Sequence, residues 1–295
     1  MKTKNRVKKT GPPVGMALLA LLLFARPSWS AEAISGDPAF EIGDGLVPPV
    51  AGSADILGSG APGLDWGDIF DAEGKPVSWL ESEGISQALL LKDDVSMGTA
   101  VDMTALAGND ALIKNAVIEP DQDLGNAYIA LAADSSGNGV IFTAAERLGD
   151  GDGYIQFEFN QQPIGIGMGA GVDTVWELTG ERTADDLLLQ LDFSGGQLAA
   201  VKVSQWTLDA SGVGSYVAIA TLSGEGCNEE ETICAVSNKK SIEGGAWSNF
   251  EVIPAHHFVE FKVNAGALLG RQPSYASVTA LTSQDIVFDQ FEGEN

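Results

Sequence analysis

Tyr154-Ile155-Gln156-Phe157-Glu158-Phe159-Asn160 decides the fold. Successive side chains of an extended chain point to opposite faces, so Ile155, Phe157 and Phe159 share one side and Gln156, Glu158 and Asn160 the other. The same period of two runs through residues 186–193, where Leu187, Leu189, Leu191 and Phe193 align. It returns in 258–263, where Val259, Phe261 and Val263 oppose Glu260 and Lys262. Residues 140–145, 216–222, 275–280 and 285–291 read as further strands, as does Val201-Lys202-Val203 running on toward Trp206. Clusters such as Ser135-Ser136-Gly137-Asn138-Gly139 and Ser194-Gly195-Gly196 separate them as turns. One apolar and one polar face per strand is what antiparallel sheets stacked on one another require. The expected fold is therefore all-β, an antiparallel, jelly-roll-like β-sandwich with few short helices. Helical periodicity is confined to 127–133 and Ala265–Leu269, each expected as a short helix.

Working outward, the chain divides into three parts. Residues 1–30 read as a cleavable signal peptide. Lys2, Lys4, Arg6, Lys8 and Lys9 precede an unbroken apolar run from Met16 to Ala25, and small residues follow at Ser28, Ser30 and Ala31. That run is too short to span a bilayer, which takes about twenty apolar residues. Cleavage is expected after Ser30. Residues 31–63, rich in Gly, Ala, Pro and Ser, read as a flexible lead-in. Residues 64–295 then form a single sandwich domain. No segment beyond residue 30 is long and apolar enough to cross a membrane as a helix. The product is expected to be secreted or extracellular, with the periplasm or cell surface as alternatives.

The full chain holds 16 Lys+Arg against 41 Asp+Glu. The signal peptide carries six of the basic residues and no acid, so the exported part keeps 10 against those 41, a formal charge of −31. Such a surface repels nucleic acid and anionic headgroups and attracts cations. Cys227 and Cys234 enclose the acidic Asn228-Glu229-Glu230-Glu231-Thr232-Ile233. In an exported chain this close pair is expected as a disulfide.

Several stretches together point to a family. Asp65-Trp66-Gly67-Asp68-Ile69-Phe70-Asp71 opens the domain, and Asn126-Ala127-Tyr128 follows Asp121-Gln122-Asp123. Then come Glu146-Arg147, Gly151-Asp152-Gly153, Phe157-Glu158-Phe159 and Thr183-Ala184-Asp185-Asp186-Leu187-Leu188. Trp206 follows a strand, and the Cys227–Cys234 loop continues into Ala235-Val236-Ser237-Asn238. Over residues 64–291 this resembles the N-terminal β-sandwich domain of secreted and cell-wall-attached bacterial surface proteins, a largely uncharacterised group. The resemblance implies an extracellular sandwich and supplies no catalytic residues.

Candidate chemistry is sparse. Gly165-Ile166-Gly167-Met168-Gly169-Ala170-Gly171 lacks the following helix that a phosphate loop needs, because Val172-Asp173-Thr174-Val175-Trp176 favours extended chain. It is expected as a mobile loop. His256-His257, if on a strand, point to opposite faces and form no chelating pair. Asp121 with Asp123, and Asp150 with Asp152, have the alternate spacing and nearby glycines by which a loop can offer several oxygens to Ca²⁺. Calcium is thus the one candidate cofactor, weighed against the tendency of Asp and Gly simply to build turns. Trp66, Trp79, Trp176, Trp206 and Trp247 are candidates for stacking on sugar rings, or for burial in the core. There is no Gly-x-Ser-x-Gly elbow, and neither cysteine reads as a free nucleophile. The leading expectation is a non-catalytic module for extracellular binding, adhesion or structure. A carbohydrate-binding module or a polysaccharide-acting hydrolase is the alternative. The expected partner is an extracellular polymer, glycan or protein surface, and not nucleic acid.

Overall fold

The computed structural model describes residues 66–71, 73–78, 80, 85–91, 99–101, 112–115, 124–134, 136–168, 175–243, 248–282 and 286–290. The expected signal peptide and lead-in, together with Asp121, Asp123, Trp79 and Trp247, lie outside the described residues. The described residues begin with helix α1 (Trp66–Ile69) and strands β1 (Ile85–Leu91), β2 (Thr99–Val101) and β3 (Leu112–Asn115). β4 (Leu124–Ala133), β5 (Gly139–Arg147), β6 (Gly153–Asn160), β7 (Gly165–Met168) and β8 (Val175–Thr179) follow. Next are β9 (Leu187–Ser194), β10 (Gln197–Leu208), β11 (Gly214–Ser223), β12 (Gly226–Cys227) and β13 (Ile233–Ser237). The chain closes with β14 (Ile242–Glu243), β15 (Val252–Ile253), β16 (Phe258–Asn264), helix α2 (Ala265–Leu269), β17 (Ser277–Thr282) and β18 (Ile286–Gln290).

These strands form a sandwich of two six-stranded antiparallel sheets. The first runs β1-β4-β5-β16-β13-β12 and the second β11-β10-β9-β6-β17-β18. A four-stranded sheet, β2-β3-β8-β7, and the β14–β15 ribbon complete the strands. The expected alternation holds well in the second sheet. Ile155, Phe157 and Phe159 pack with Leu187, Leu189 and Leu191 in the core between the sheets. Burial of each such side chain contributes about 1.5–3 kcal/mol. The β9–β10 turn is a two-residue loop with Gly195 at φ 59° and Gly196 at φ 77°. Two consecutive positive φ values match the right-handed twist of the flanking strands, and glycine adopts them without steric penalty.

The first sheet departs from expectation because its strands β4, β5 and β13 are buried on both faces. Residues 127–133 form no helix and lie inside β4. Ala127, Ile129 and Leu131 face the inter-sheet core. Tyr128, Ala130 and Ala132 face a second cluster, where Trp66, Ile69 and Phe70 of the N-terminal segment cover Phe142 and Phe258. With no solvated face there is no polar alternation to read, and an alanine-rich run imitates a helix. α2 does form where expected. The Asn264 side chain caps it by accepting from Ala267 N at 3.0 Å, and Gly270 ends it in the left-handed region at φ 65°. The glycine run also differs from expectation: Gly165–Met168 is a strand, pairing with Val175–Thr179 as Gly165↔Thr179 and Gly167↔Glu177. Main-chain pairing asks for no side chain, so a glycine-rich stretch serves as a ladder partner. Cys227 and Cys234 sit directly opposite one another on β12 and β13 and are joined by a disulfide. A loop this short stabilises by about 2–2.5 kcal/mol in the chain-entropy account.

Candidate functional site

The outer face of the second sheet carries a dense polar array. Strand register sets its rows. Across β10, β9, β6 and β17, one row is Ser204, Leu188, Glu158 and Thr279, and the next is Lys202, Gln190, Gln156 and Leu281. Tyr154 stands opposite Asp192 one row further on. At the β11 side, Tyr216 stands opposite Trp206.

Arg182 reaches this face from the connection between β8 and β9. Its guanidinium takes both oxygens of Glu158, with Nε donating to Oε1 and one terminal nitrogen donating to Oε2 at 3.0 Å. The two side chains are 3% and 4% exposed, so the ion pair is almost fully desolvated. Tyr216 donates its hydroxyl to Glu158 at 2.7 Å. Arg182 also lies 5.4 Å from the Trp206 ring and 5.8 Å from the Tyr216 ring. Burial alone would pull the Arg182 pKa down, but the bonds and charge of Glu158 outweigh it and hold it above the ordinary value. Burial, reinforced by the Glu158 charge, pushes the Tyr216 phenol well above its usual value. Asn160 best serves its neighbours with its amide nitrogen toward Glu158 and Asp186, at 3.1 and 3.2 Å. Asp186 accepts from the backbone and hydroxyl of Thr183 and from the backbone of Gln161, yet burial keeps its pKa raised.

Beside this sealed cluster runs a more open ladder. Gln156 Nε2 donates to Gln190 Oε1 at 2.6 Å, and Gln190 Nε2 donates to Asp192 Oδ1 at 2.6 Å. Gln190, Asp192 and Tyr154 are half-buried, and Lys202 is exposed. Burial and the nearby Asp192 charge raise the Tyr154 pKa. Two buried polar atoms here have no hydrogen-bond partner: Gln156 Oε1, an acceptor, and Trp206 Nε1, a donor. Buried polar atoms are ordinarily satisfied, so such a pair in a polar array marks unused bonding capacity.

The residues singled out from sequence fall elsewhere or serve other ends. Trp66 is 1% exposed and donates its indole N–H to Glu260 at 2.9 Å. Trp206 is 5% exposed beneath Arg182. Neither presents a face to a sugar, so the stacking expectation is corrected at both positions. The reason is that α1 packs onto the first sheet and the β8–β9 connection packs onto the second. Trp176 is placed in β8 opposite Ile113. Asp150 and Asp152 act as turn anchors: Asp150 Oδ1 meets His257 Nε2 at 2.9 Å, and Asp152 accepts from Gly195 N. Among the described residues no group of three His, Cys, Asp or Glu is gathered as a metal site.

His256 and His257 lie in a turn and not on a strand, with His256 at φ 66°. His257 Nδ1 faces the Arg147 carbonyl at 2.8 Å, while the Arg147 guanidinium lies 3.8 Å over Phe193 and donates to the carbonyls of Gly151 and Gly196. These contacts tie three turns together at one end of the sandwich. Ser237 Oγ lies 3.4 Å from His256 Nδ1, but it donates its proton to Glu225 and is 2% exposed. That is a structural contact and not the geometry of an activated nucleophile. Glu146 and Glu260 lie on neighbouring strands of the first sheet, both sealed, at 0% and 3% exposure. Tyr128 donates to Glu146 at 2.6 Å, and burial holds the Glu146 pKa above the usual carboxylate value.

Sequence reasoning placed Gln156, Glu158 and Asn160 on one polar face but missed Arg182 as its centre. A usable signal existed: with ten basic residues among 41 acids beyond residue 30, each arginine has several carboxylates competing for it. Comparison with family models, curated proteins and solved structures finds no match to this chain.

Proposed function

We propose that this chain is an exported, strongly acidic, non-catalytic β-sandwich module. It binds an uncharged or amine-bearing extracellular glycan along Tyr154, Gln190, Asp192 and Lys202 on the outer face of the second sheet. The observation that carries the reading is the amide–carboxylate ladder with the unpartnered Gln156 Oε1 at its buried end. Amides and carboxylates both accept, and amides also donate, which suits the paired donor and acceptor character of sugar hydroxyls. The tyrosine ring adds an apolar surface for a pyranose face. Sealed beside the ladder on the same face, the Arg182–Glu158–Tyr216 cluster holds its neighbours rigid. The acidic surface disfavours anionic polysaccharides and nucleic acid.

Affinity electrophoresis through gels holding neutral or amine-bearing polysaccharides tests the proposal. Retardation should appear in at least one gel and disappear in Gln190→Ala and Asp192→Ala, with the melting temperature of both variants close to that of the parent. Migration unchanged in every gel, or retardation that both variants keep, rejects it.

A further inference from the structure

We infer that β11 is the surface through which two copies of this chain associate, pairing edge to edge and antiparallel about a twofold axis normal to the second sheet. β11 ends that sheet, and among the described residues its ladder runs to β10 alone. Its ten residues, Gly214-Ser215-Tyr216-Val217-Ala218-Ile219-Ala220-Thr221-Leu222-Ser223, hold no charge and no proline. An exposed edge offers a row of unpaired N–H and C=O groups, and proteins that must stay apart blunt such edges with lysine, proline or brevity. The other edges differ. β12 is two residues long, β18 carries Asp289, and β1 is buried at Ile85, Ala88 and Leu91. β11 keeps Ser215, Val217, Ala218, Thr221 and Ser223 exposed.

A second feature marks the same place. Of the four large apolar side chains exposed among the described residues, Leu208, Val213 and Val217 belong to the β10–β11 hairpin, at 56%, 62% and 49% exposure. Scattered apolar residues are ordinary on a surface, but three beside one uncharged edge are a patch with a direction.

Charge limits where a second copy can sit. The chain is strongly acidic, so two copies repel over most of their surfaces. β11 is a long strip where they can meet without setting carboxylate against carboxylate. A centred antiparallel register brings the Asp209 turn of one copy to the Glu225 end of the other, and Glu225 is already paired with Lys239 at 3.1 Å. The strand is thus self-complementary, the condition for a twofold interface. The product is one continuous sheet of twelve strands. A twofold normal to that sheet keeps both outer faces on the same side.

Sedimentation equilibrium of the full exported chain tests the inference. A species of twice the monomer mass is expected, and it should tighten as salt is added, because salt screens the like-charge repulsion that opposes it. Val217→Lys with Thr221→Lys, both at exposed positions, should yield monomer with an unchanged melting temperature. Val217→Glu with Thr221→Glu should do the same. Mixing the two variants should restore a dimer as opposite charges meet across the joint. A monomeric parent at every concentration overturns the inference, and so does a dimer that survives the lysine pair. A mixture that stays monomeric places the interface elsewhere. None of these outcomes depends on glycan binding.

Discussion

Replacing Arg182 with Met keeps the length and apolar stem of the side chain and removes its charge. The Glu158 carboxylate then stays behind at 4% exposure with Tyr216 and Thr279 around it. Breaking a buried ion pair by removing one partner typically costs about 3–5 kcal/mol, because the stranded charge has lost its compensation. The lost guanidinium contacts with Trp206 and Tyr216 add about 0.5–2 kcal/mol. Arg182→Met should therefore destabilise by about 3.5–7 kcal/mol from these two effects together. The double variant Arg182→Met with Glu158→Leu removes both charges and should recover most of that loss, since apolar replacement of a buried pair is often close to neutral. Urea unfolding of the parent, Arg182→Met, Glu158→Leu and the double variant, with a shared m-value, measures both numbers and their coupling. A loss below about 1 kcal/mol for the single variant is what an exposed ion pair gives, and it would refute the sealed cluster.

Stability should peak on the acid side of neutrality. Burial raises the Glu146 and Asp186 pKa values, so the folded chain takes up these protons before the unfolded one, and stability grows as pH falls from neutral through those raised values. Asp134 and Glu225 are held low. Burial alone would raise them, but hydrogen bonds from Asn138 to the first and from Ser237 to the second prevail, so their contribution is lost as pH falls through the lowered values. Thermal melts across pH should show a rise and then a fall on acidification; Glu146→Gln should flatten the rise, and a melting temperature highest at alkaline pH would contradict the assignment. Gly214→Ala sets a methyl group against the Trp206 ring and should cost about 1–3 kcal/mol with a shift in tryptophan emission. An unshifted spectrum and an unchanged urea midpoint would mean that the ring does not pack there. Any response of the melting temperature to a chelator should be the same in Asp150→Asn with Asp152→Asn as in the parent, because Asp150 and Asp152 already serve His257 and Gly195; a response that the double variant loses would instead support the calcium expectation at that turn.

How much of this was legible in the sequence depends on whether the two faces of a strand differ in chemistry. β6, β9 and β16 alternate apolar with polar residues, and period two announced them even where Glu158 and Glu260 are buried. β4 is apolar on both faces, so Ala127, Ile129 and Leu131 were interleaved with Tyr128, Ala130 and Ala132, and the pattern vanished. Tryptophan is equally at home in a core and on a platform, which is why Trp66 and Trp206 could not be sorted without knowing what packs over them. The disulfide was legible because a chain with two cysteines leaves one pairing. The Arg182–Glu158 cluster was not, since its members are 24 residues apart and meet only through a connection folding back over the sheet.

The N-terminal cover on the first sheet has a practical consequence. Trp66, Ile69 and Phe70 shield Tyr128, Phe142 and Phe258, so a version trimmed to start at β1 would bare a greasy wall. Such a trimmed chain should clump in solution and light up apolar dyes, even with every strand of both sheets intact. The few residues of α1 thus act less as a lead into the domain than as its last tile.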